Sequence, residues 1–156
     1  MKLLILSDSH GYLFYLEQIL QRERDADVIL HLGDGGDDLN AMTEYTQGKA
    51  VYVCRGNCDS VVHGFPESLQ LDFEGVRVFA CHGHRYGVKY GLQKLYYAAK
   101  EAEARLCLFG HTHCPHSSFE EDFFMVNPGP AASGCYAVAE LAEGAVKTVN
   151  RSLEKR

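Results

Sequence analysis

Five short polar clusters punctuate an otherwise apolar sequence, and their residue types are those that hold divalent cations. In chain order they are Asp8-Ser9-His10-Gly11, His31-Leu32-Gly33-Asp34-Gly35, Arg55-Gly56-Asn57-Cys58-Asp59, Cys81-His82-Gly83-His84 and Gly110-His111-Thr112-His113. Carboxylate oxygen, amide oxygen and imidazole nitrogen suit Mn²⁺, Fe²⁺, Zn²⁺ or Ni²⁺. The cysteines lack the close pairing of a structural zinc site. Singly, each cluster is ordinary: Asp-x-His reads as a capped turn, and Gly-Asp and Gly-Asn are common turn dipeptides. Together, five clusters that each carry a glycine, which lets backbone crowd a site, point to one cleft rather than five turns.

The elements that must position these clusters can be read from periodicity. Each cluster ends a stretch with the pattern of a buried strand: residues 2–7, 28–32, 51–54, 76–81 and 105–109. Helices are predicted over 12–24, where Leu13, Leu16, Ile19 and Leu20 share a face, more weakly over 37–46, and over 91–104. The first half alternates strand and helix, which implies a parallel sheet. The second half reads as hairpins, 68–74 with 76–81 and 135–142 with 145–150, plus strands at 116–120 and 123–127. Two packed sheets with helices outside would bury both faces of each. Ligands of open α/β sheets bind beyond the carboxyl ends of strands, so the five clusters should meet there.

Composition narrows the class. A chain of 156 residues suits a single domain, 1–156. The formal charge of −6 argues against an extended nucleic-acid face. No apolar run reaches the roughly 20 residues that span a bilayer. The apolar start is too short for a signal peptide and runs straight into Asp8 and His10. Of the six cysteines, Cys54, Cys81, Cys107 and Cys135 lie in apolar runs, as free thiols do in a reducing cytoplasm. The charged tail after Asn150 reads as dispensable.

The ordered set Asp8-x-His10, Gly33-Asp34, Gly56-Asn57-x-Asp59, His82 and Gly110-His111-x-His113 resembles the calcineurin-like metallophosphoesterase superfamily. Gly56-Asn57-Cys58-Asp59, the stretch His82-Gly83-His84-x-x-Gly87 and the short chain are similar to its YfcE-like phosphodiesterase branch, where Asn127-Pro128-Gly129 also recurs. The match runs from residue 3 to about residue 150. The resemblance implies an α/β (α+β) fold, a four-layer αββα sandwich of two mixed β-sheets flanked by helices. It also implies two divalent metal ions, with Mn²⁺ favoured over Zn²⁺, Fe²⁺ or Ni²⁺. One would take Asp8, His10, Asp34 and His113; the other would take Asp34, Asn57, His82 and His111, with Asp34 bridging. The implied activity is hydrolysis of a small phosphoester, first of all a phosphodiester, by a hydroxide between the cations. Two dications less two carboxylates and that hydroxide leave a centre of about +1, suited to an anionic substrate.

One position departs from the family. Many relatives carry a histidine directly after the asparagine, and here Cys58 stands there. A thiol is a poor substitute for an imidazolium as proton donor. We therefore expect either a preference for good leaving groups or a proton from His84, which joins Asn57 as a candidate catalytic residue. Asp59 is expected to orient the Asn57 loop, to pair with a base or simply to make a turn. Arg85 and Tyr86 border the expected cleft. His31, His63 and His116 are read as structural or solvent-facing. Specificity should lie in the loops after residues 59, 85 and 113. The competing reading is a non-catalytic interaction scaffold of the retromer-subunit kind, whose ligand sets tend to be degraded. Here all seven expected ligands are present. A homodimer is a further expectation, from the family's habit and the tyrosines of the third helix.

Overall fold

The computed structural model describes residues 1–153. Among them the elements are β1 (Lys2–Leu6), α1 (Leu13–Arg22), β2 (Val28–His31), α2 (Thr43–Thr46), β3 (Ala50–Val53), β4 (Ser68–Phe73), β5 (Val76–Cys81), α3 (Gln93–Glu101), β6 (Leu106–Leu108), β7 (His116–Glu120), β8 (Phe123–Asn127), β9 (Cys135–Ala142) and β10 (Ala145–Ser152). Two five-stranded sheets result, in the orders β10-β9-β1-β2-β3 and β4-β5-β6-β8-β7. β1, β2 and β3 run parallel, as do β5, β6 and β8; the other pairings are antiparallel.

Alternation along the strands builds the layers. Leu3, Ile5, Val28 and Leu30 turn one way and meet Val78, Ala80, Leu106 and Leu108 of the second sheet. Leu4, Leu6 and Ile29 turn the other way, onto Leu16, Ile19 and Leu20 of α1. Phe79, Cys81 and Cys107 form the outer face of the second sheet, beneath Leu95 and Ala99 of α3. Each fully buried aliphatic side chain contributes roughly 1.5–3 kcal/mol of transfer free energy. The expected four-layer αββα arrangement is the one observed.

Two expectations are corrected. Residues 37–46 do not form one α-helix. A 3-10 stretch, Gly36–Met42, leads into the short α2. Leu39, Met42 and Tyr45 recur every three residues, the period at which 3-10 side chains eclipse, and all three pack against the α1 face. The tail after Asn150 is not a loose end either. β10 continues to Ser152, Leu153 is buried, and Arg151 Nη1 lies 2.7 Å from Glu23 Oε1. Glu23, itself buried, also receives Lys2 Nζ at 2.8 Å and Tyr136 OH at 2.9 Å. The last three residues of the expected tail, 154–156, lie outside the described part.

Candidate metal centre

The carboxyl ends of β1, β2, β3, β5 and β6 bring the polar clusters together. Three overlapping trios of donor atoms form, Asp8 with His10 and His113, His10 with Asp34 and Cys58, and Asp34 with His82 and His111; within each, the atoms lie within 4.8 Å of one another. His113 Nε2 is 3.2 Å and His10 Nε2 3.7 Å from Asp8 Oδ1. His82 Nε2 is 3.2 Å from Asp34 Oδ2 and also 3.2 Å from His111 Nδ1. The trios touch, because Asp34 Oδ2 lies 3.8 Å from His10 Nε2 and Asp8 Oδ1 lies 3.9 Å from His82 Nε2.

Hydrogen bonds behind the donors fix which atoms face the cleft. Ser7 Oγ donates to Asp8 Oδ2 at 2.6 Å, and the His111 N–H donates to the same oxygen at 3.2 Å. That leaves Asp8 Oδ1 buried with no hydrogen-bond partner. A buried, unpartnered carboxylate oxygen is costly, yet this one is ringed by three imidazoles. His82 Nδ1 donates to Leu32 O at 2.9 Å, so Nε2 carries the lone pair toward the cleft. Asp34 Oδ1 accepts the Cys58 N–H at 2.7 Å, which turns Oδ2 inward. An orphaned oxygen among converging imidazole nitrogens is what a divalent cation would satisfy. Asp8, His10, Asp34, His82, His111 and His113 therefore fit divalent-cation binding of the kind the resemblance implies.

The electrostatics follow from burial and neighbours. Burial works to raise the Asp34 pKa, but the His82 imidazole and the Cys58 N–H outweigh it and hold the carboxyl well below the usual range. Burial works against a charged His82, but Asp34 and Asp8 raise its pKa. His111 is lowered by burial, by His82 and by the charge of Lys89. His84 is lowered by burial, by His82 and by Arg85. Burial and the Asp34 carboxylate push the Cys58 thiol up, so it stays a thiol at neutral pH.

The loops that carry the donors are bent sharply. Asp8, His10, Asp34, His111 and His113 all adopt left-handed backbone, with φ between 49° and 68°. Non-glycine residues seldom do so, and such strain concentrates at functional sites. Gly33 and Gly56 let two of these loops touch: a Cβ on Gly33 would lie 2.6 Å from the Gly56 nitrogen, and one on Gly56 would overlap Asp34. Asp59 ties them. Its carboxylate accepts the N–H groups of Asp34 and Gly35 at 2.9 Å and of Gly56 at 2.7 Å. Of the alternatives for Asp59, loop orientation is the one seen.

His31 is buried and its pKa falls to about 4, chiefly through burial, so it stays neutral. Nδ1 accepts the Gly33 N–H, and Nε2 donates to Ser9 Oγ, which in turn donates to Asp38 Oδ2 at 2.6 Å. The reading of His31 as structural agrees with this. His63 stacks on Phe65 and His116 contacts Ser118, both away from the trios. Asn57 is exposed, and its amide nitrogen contacts Cys58 Sγ at 3.5 Å. His84 stands beside the trios, its ring centroid 5.4 Å from that of His82.

Ser7, Ser9, Asp38 and Asn127 were not singled out from the sequence for the parts they take here. Asn127 Nδ2 donates to Gly110 O and to Thr112 Oγ1, holding the loop of His111 and His113. The recurrence of Asn127-Pro128-Gly129 was the signal available. A separate cavity of about 550 Å³ beside Met1, Lys2 and Lys147 lies at the opposite end of β1 and contains none of these donors.

Comparison with known proteins gives a consistent answer. Residues 1–144 match the model of the calcineurin-like phosphoesterase superfamily domain. The chain is 32% identical over 151 residues to phosphodiesterase YfcE of Escherichia coli (strain K12), covering 83% of this chain and 78% of that one. A Streptococcus pneumoniae TIGR4 protein described as a predicted phosphoesterase superposes with a TM-score of 0.73 at 28% identity, covering 96% of this chain and 97% of its own. Vps29 of Entamoeba histolytica, solved with Zn²⁺, superposes with a TM-score of 0.76 at 16% identity over 97% and 99% of the two chains, a likeness of fold alone.

Proposed function

The chain belongs to the calcineurin-like phosphoesterase superfamily, and from that premise we propose that it is a metal-dependent phosphodiesterase with a dinuclear centre. One observation carries the reading: the buried Asp8 Oδ1, unpartnered and faced by His10, His82 and His113. Asp8, His10, Asp34 and His113 would hold one divalent cation, and Asp34, Asn57, His82 and His111 the other. Mn²⁺ is the favoured ion. When bound, such ions supply Lewis acidity that brings the pKa of water toward neutrality and offsets charge growing on a phosphate.

The chain's own residues do the rest. The hydrogen bonds to Asp8, Asp34 and His82 fix the donors in place before any ligand arrives, so no rotamer search is needed at binding. His82, His111 and the neighbouring His84 line the side on which Arg55, Arg85 and Lys89 supply positive charge for a phosphoester anion. Cys58 is held as a thiol, and His84, the imidazole beside the trios, has its pKa lowered by burial, His82 and Arg85, so neither is a ready proton donor to a leaving alkoxide at neutral pH. We therefore expect aryl diesters to turn over faster than alkyl ones, and Cys58→His to narrow that gap by about tenfold. The substrate is read as a small phosphoester and the location as cytoplasmic, in keeping with six free cysteines. Assembly as a homodimer belongs to the same proposal, and light scattering tests it.

The scaffold alternative draws support from the Vps29 fold likeness but not from the site, where seven family ligand positions are filled by ligand residue types. The deciding assay is Mn²⁺-dependent hydrolysis of bis(p-nitrophenyl) phosphate. Asp34→Asn and His111→Ala should each lower it at least about a hundredfold. Turnover that survives both changes would remove the centre from the reaction.

A further inference from the structure

A second charged cluster borders the Asp34, His82 and His111 trio. Glu67 lies on the loop between β3 and β4, brought close by a 2.7 Å bond from the Arg55 N–H to Pro66 O. Glu67 Oε1 pairs with Arg55 Nη2; Oε2 lies 2.9 Å from Arg85 Nε and 3.8 Å from His84 Nε2. Arg55 directly precedes Gly56, the residue packed on Asp34. His84 sits with its ring 5.4 Å from His82 and 6.0 Å from His111. Two guanidinium groups thus converge on the two oxygens of one carboxylate, at the lip of the cleft. The closure is imperfect. Glu67 Oε2 and His84 Nδ1 are both buried without a well-directed hydrogen bond.

Two guanidinium groups share the one carboxylate of Glu67, and Lys89 adds positive charge near His111. Two arginines that grip the two oxygens of a carboxylate offer the same forked donors to phosphate. A dianionic phosphate would compete well for them against a single carboxylate. Glu67 is partly exposed and sits on a loop, so it can leave.

Resting on the reading of the centre as a phosphoester site, we propose that Arg55 and Arg85 form a second anion subsite. It takes a further phosphate carried by the substrate beside the one that is cleaved, and Glu67 is the resident carboxylate that fills it when substrate is absent. The preferred substrates are therefore phosphoesters bearing two phosphate groups.

Adenosine 5′-monophosphate and adenosine 3′,5′-bisphosphate differ by one phosphate, and their binding to the Mn²⁺-loaded protein can be compared by calorimetry. The bisphosphate should bind about tenfold tighter or more. Glu67→Gln should widen that ratio, while Arg55→Gln and Arg85→Gln should bring it toward unity, with circular dichroism confirming the fold of each. Equal affinities in the wild type, or a ratio untouched by both arginine variants, would overturn the subsite. A Glu67→Gln protein that melts earlier yet keeps the ratio would make Glu67 a mere tie between loops. Turnover of bis(p-nitrophenyl) phosphate, followed in parallel, separates the two readings. Hydrolysis without bisphosphate preference sinks the subsite alone; preference without hydrolysis sinks the enzyme reading alone.

Discussion

At the residue scale, His31 shows how a side chain outside the ligand set governs it. Its ring links the Gly33 N–H to Ser9, and through Ser9 to Asp38, which also accepts the Gly11 N–H. One neutral imidazole therefore braces both carboxylate loops. Its folded-state pKa of about 4 lies below the 6.5 of a free imidazole, chiefly because burial disfavours the charged ring. On acidification the unfolded chain takes that proton first. The His31 contribution is thus fully present above pH 6.5 and is lost as pH falls toward 4. Relative to His31→Gln, metal-free wild type should lose about 2–3 kcal/mol between about pH 7 and about pH 4.5. Denaturant titrations at the two pH values measure it, and parallel losses in the two proteins would refute it.

At the scale of elements, the loop from β3 is held to the loop from β2 by Asp59. In Asp59→Asn an amide NH₂ replaces one accepting oxygen and faces backbone N–H groups. Metal affinity should fall about 10- to 100-fold, and isothermal titration with Mn²⁺ reads it against an unchanged circular dichroism spectrum. This level also marks the limit of the sequence. The strands and their polar ends were legible because apolar runs stop abruptly at Asp8, Asp34, His82 and His111. The 3-10 stretch was not, since Leu39, Met42 and Tyr45 fit the face of an α-helix as readily. Ser7 and Asp38 were invisible, because a lone polar residue beside a ligand carries no spacing that betrays its partner. The left-handed backbone at Asp8 and His113 was equally hidden: neither residue type demands it, and only the crossing of loops imposes it.

At the scale of the molecule, long-range ties close the first sheet. Glu23, at the end of α1, meets Lys2 of β1, Tyr136 of β9 and Arg151 of β10, while the Leu153 N–H donates to Gly134 O at 2.9 Å. Ending the chain at Asn150 removes Arg151, the end of β10 and the buried Leu153. Stability should drop by about 2–4 kcal/mol, read from urea midpoints; an unchanged midpoint would show the segment to be idle. No helix among the described residues is long and apolar enough to cross a membrane. Ion binding should act on this same scale: at a hundredfold excess over Kd, Mn²⁺ should add about 2.7 kcal/mol to unfolding. Thermal melts with Mn²⁺ and with a chelator test this, and identical curves would count against the centre.

The division of donors between the sheets has a consequence for how the protein matures. Asp8, His10, Asp34 and the proposed ligand Asn57 come from the chain up to the loop after β3, whereas His82, His111 and His113 come from β5 onward. On the proposed reading neither portion would own a full ligand set. Tight capture of an ion would then have to wait until both sheets have docked, and binding of Mn²⁺ would report on the assembled chain.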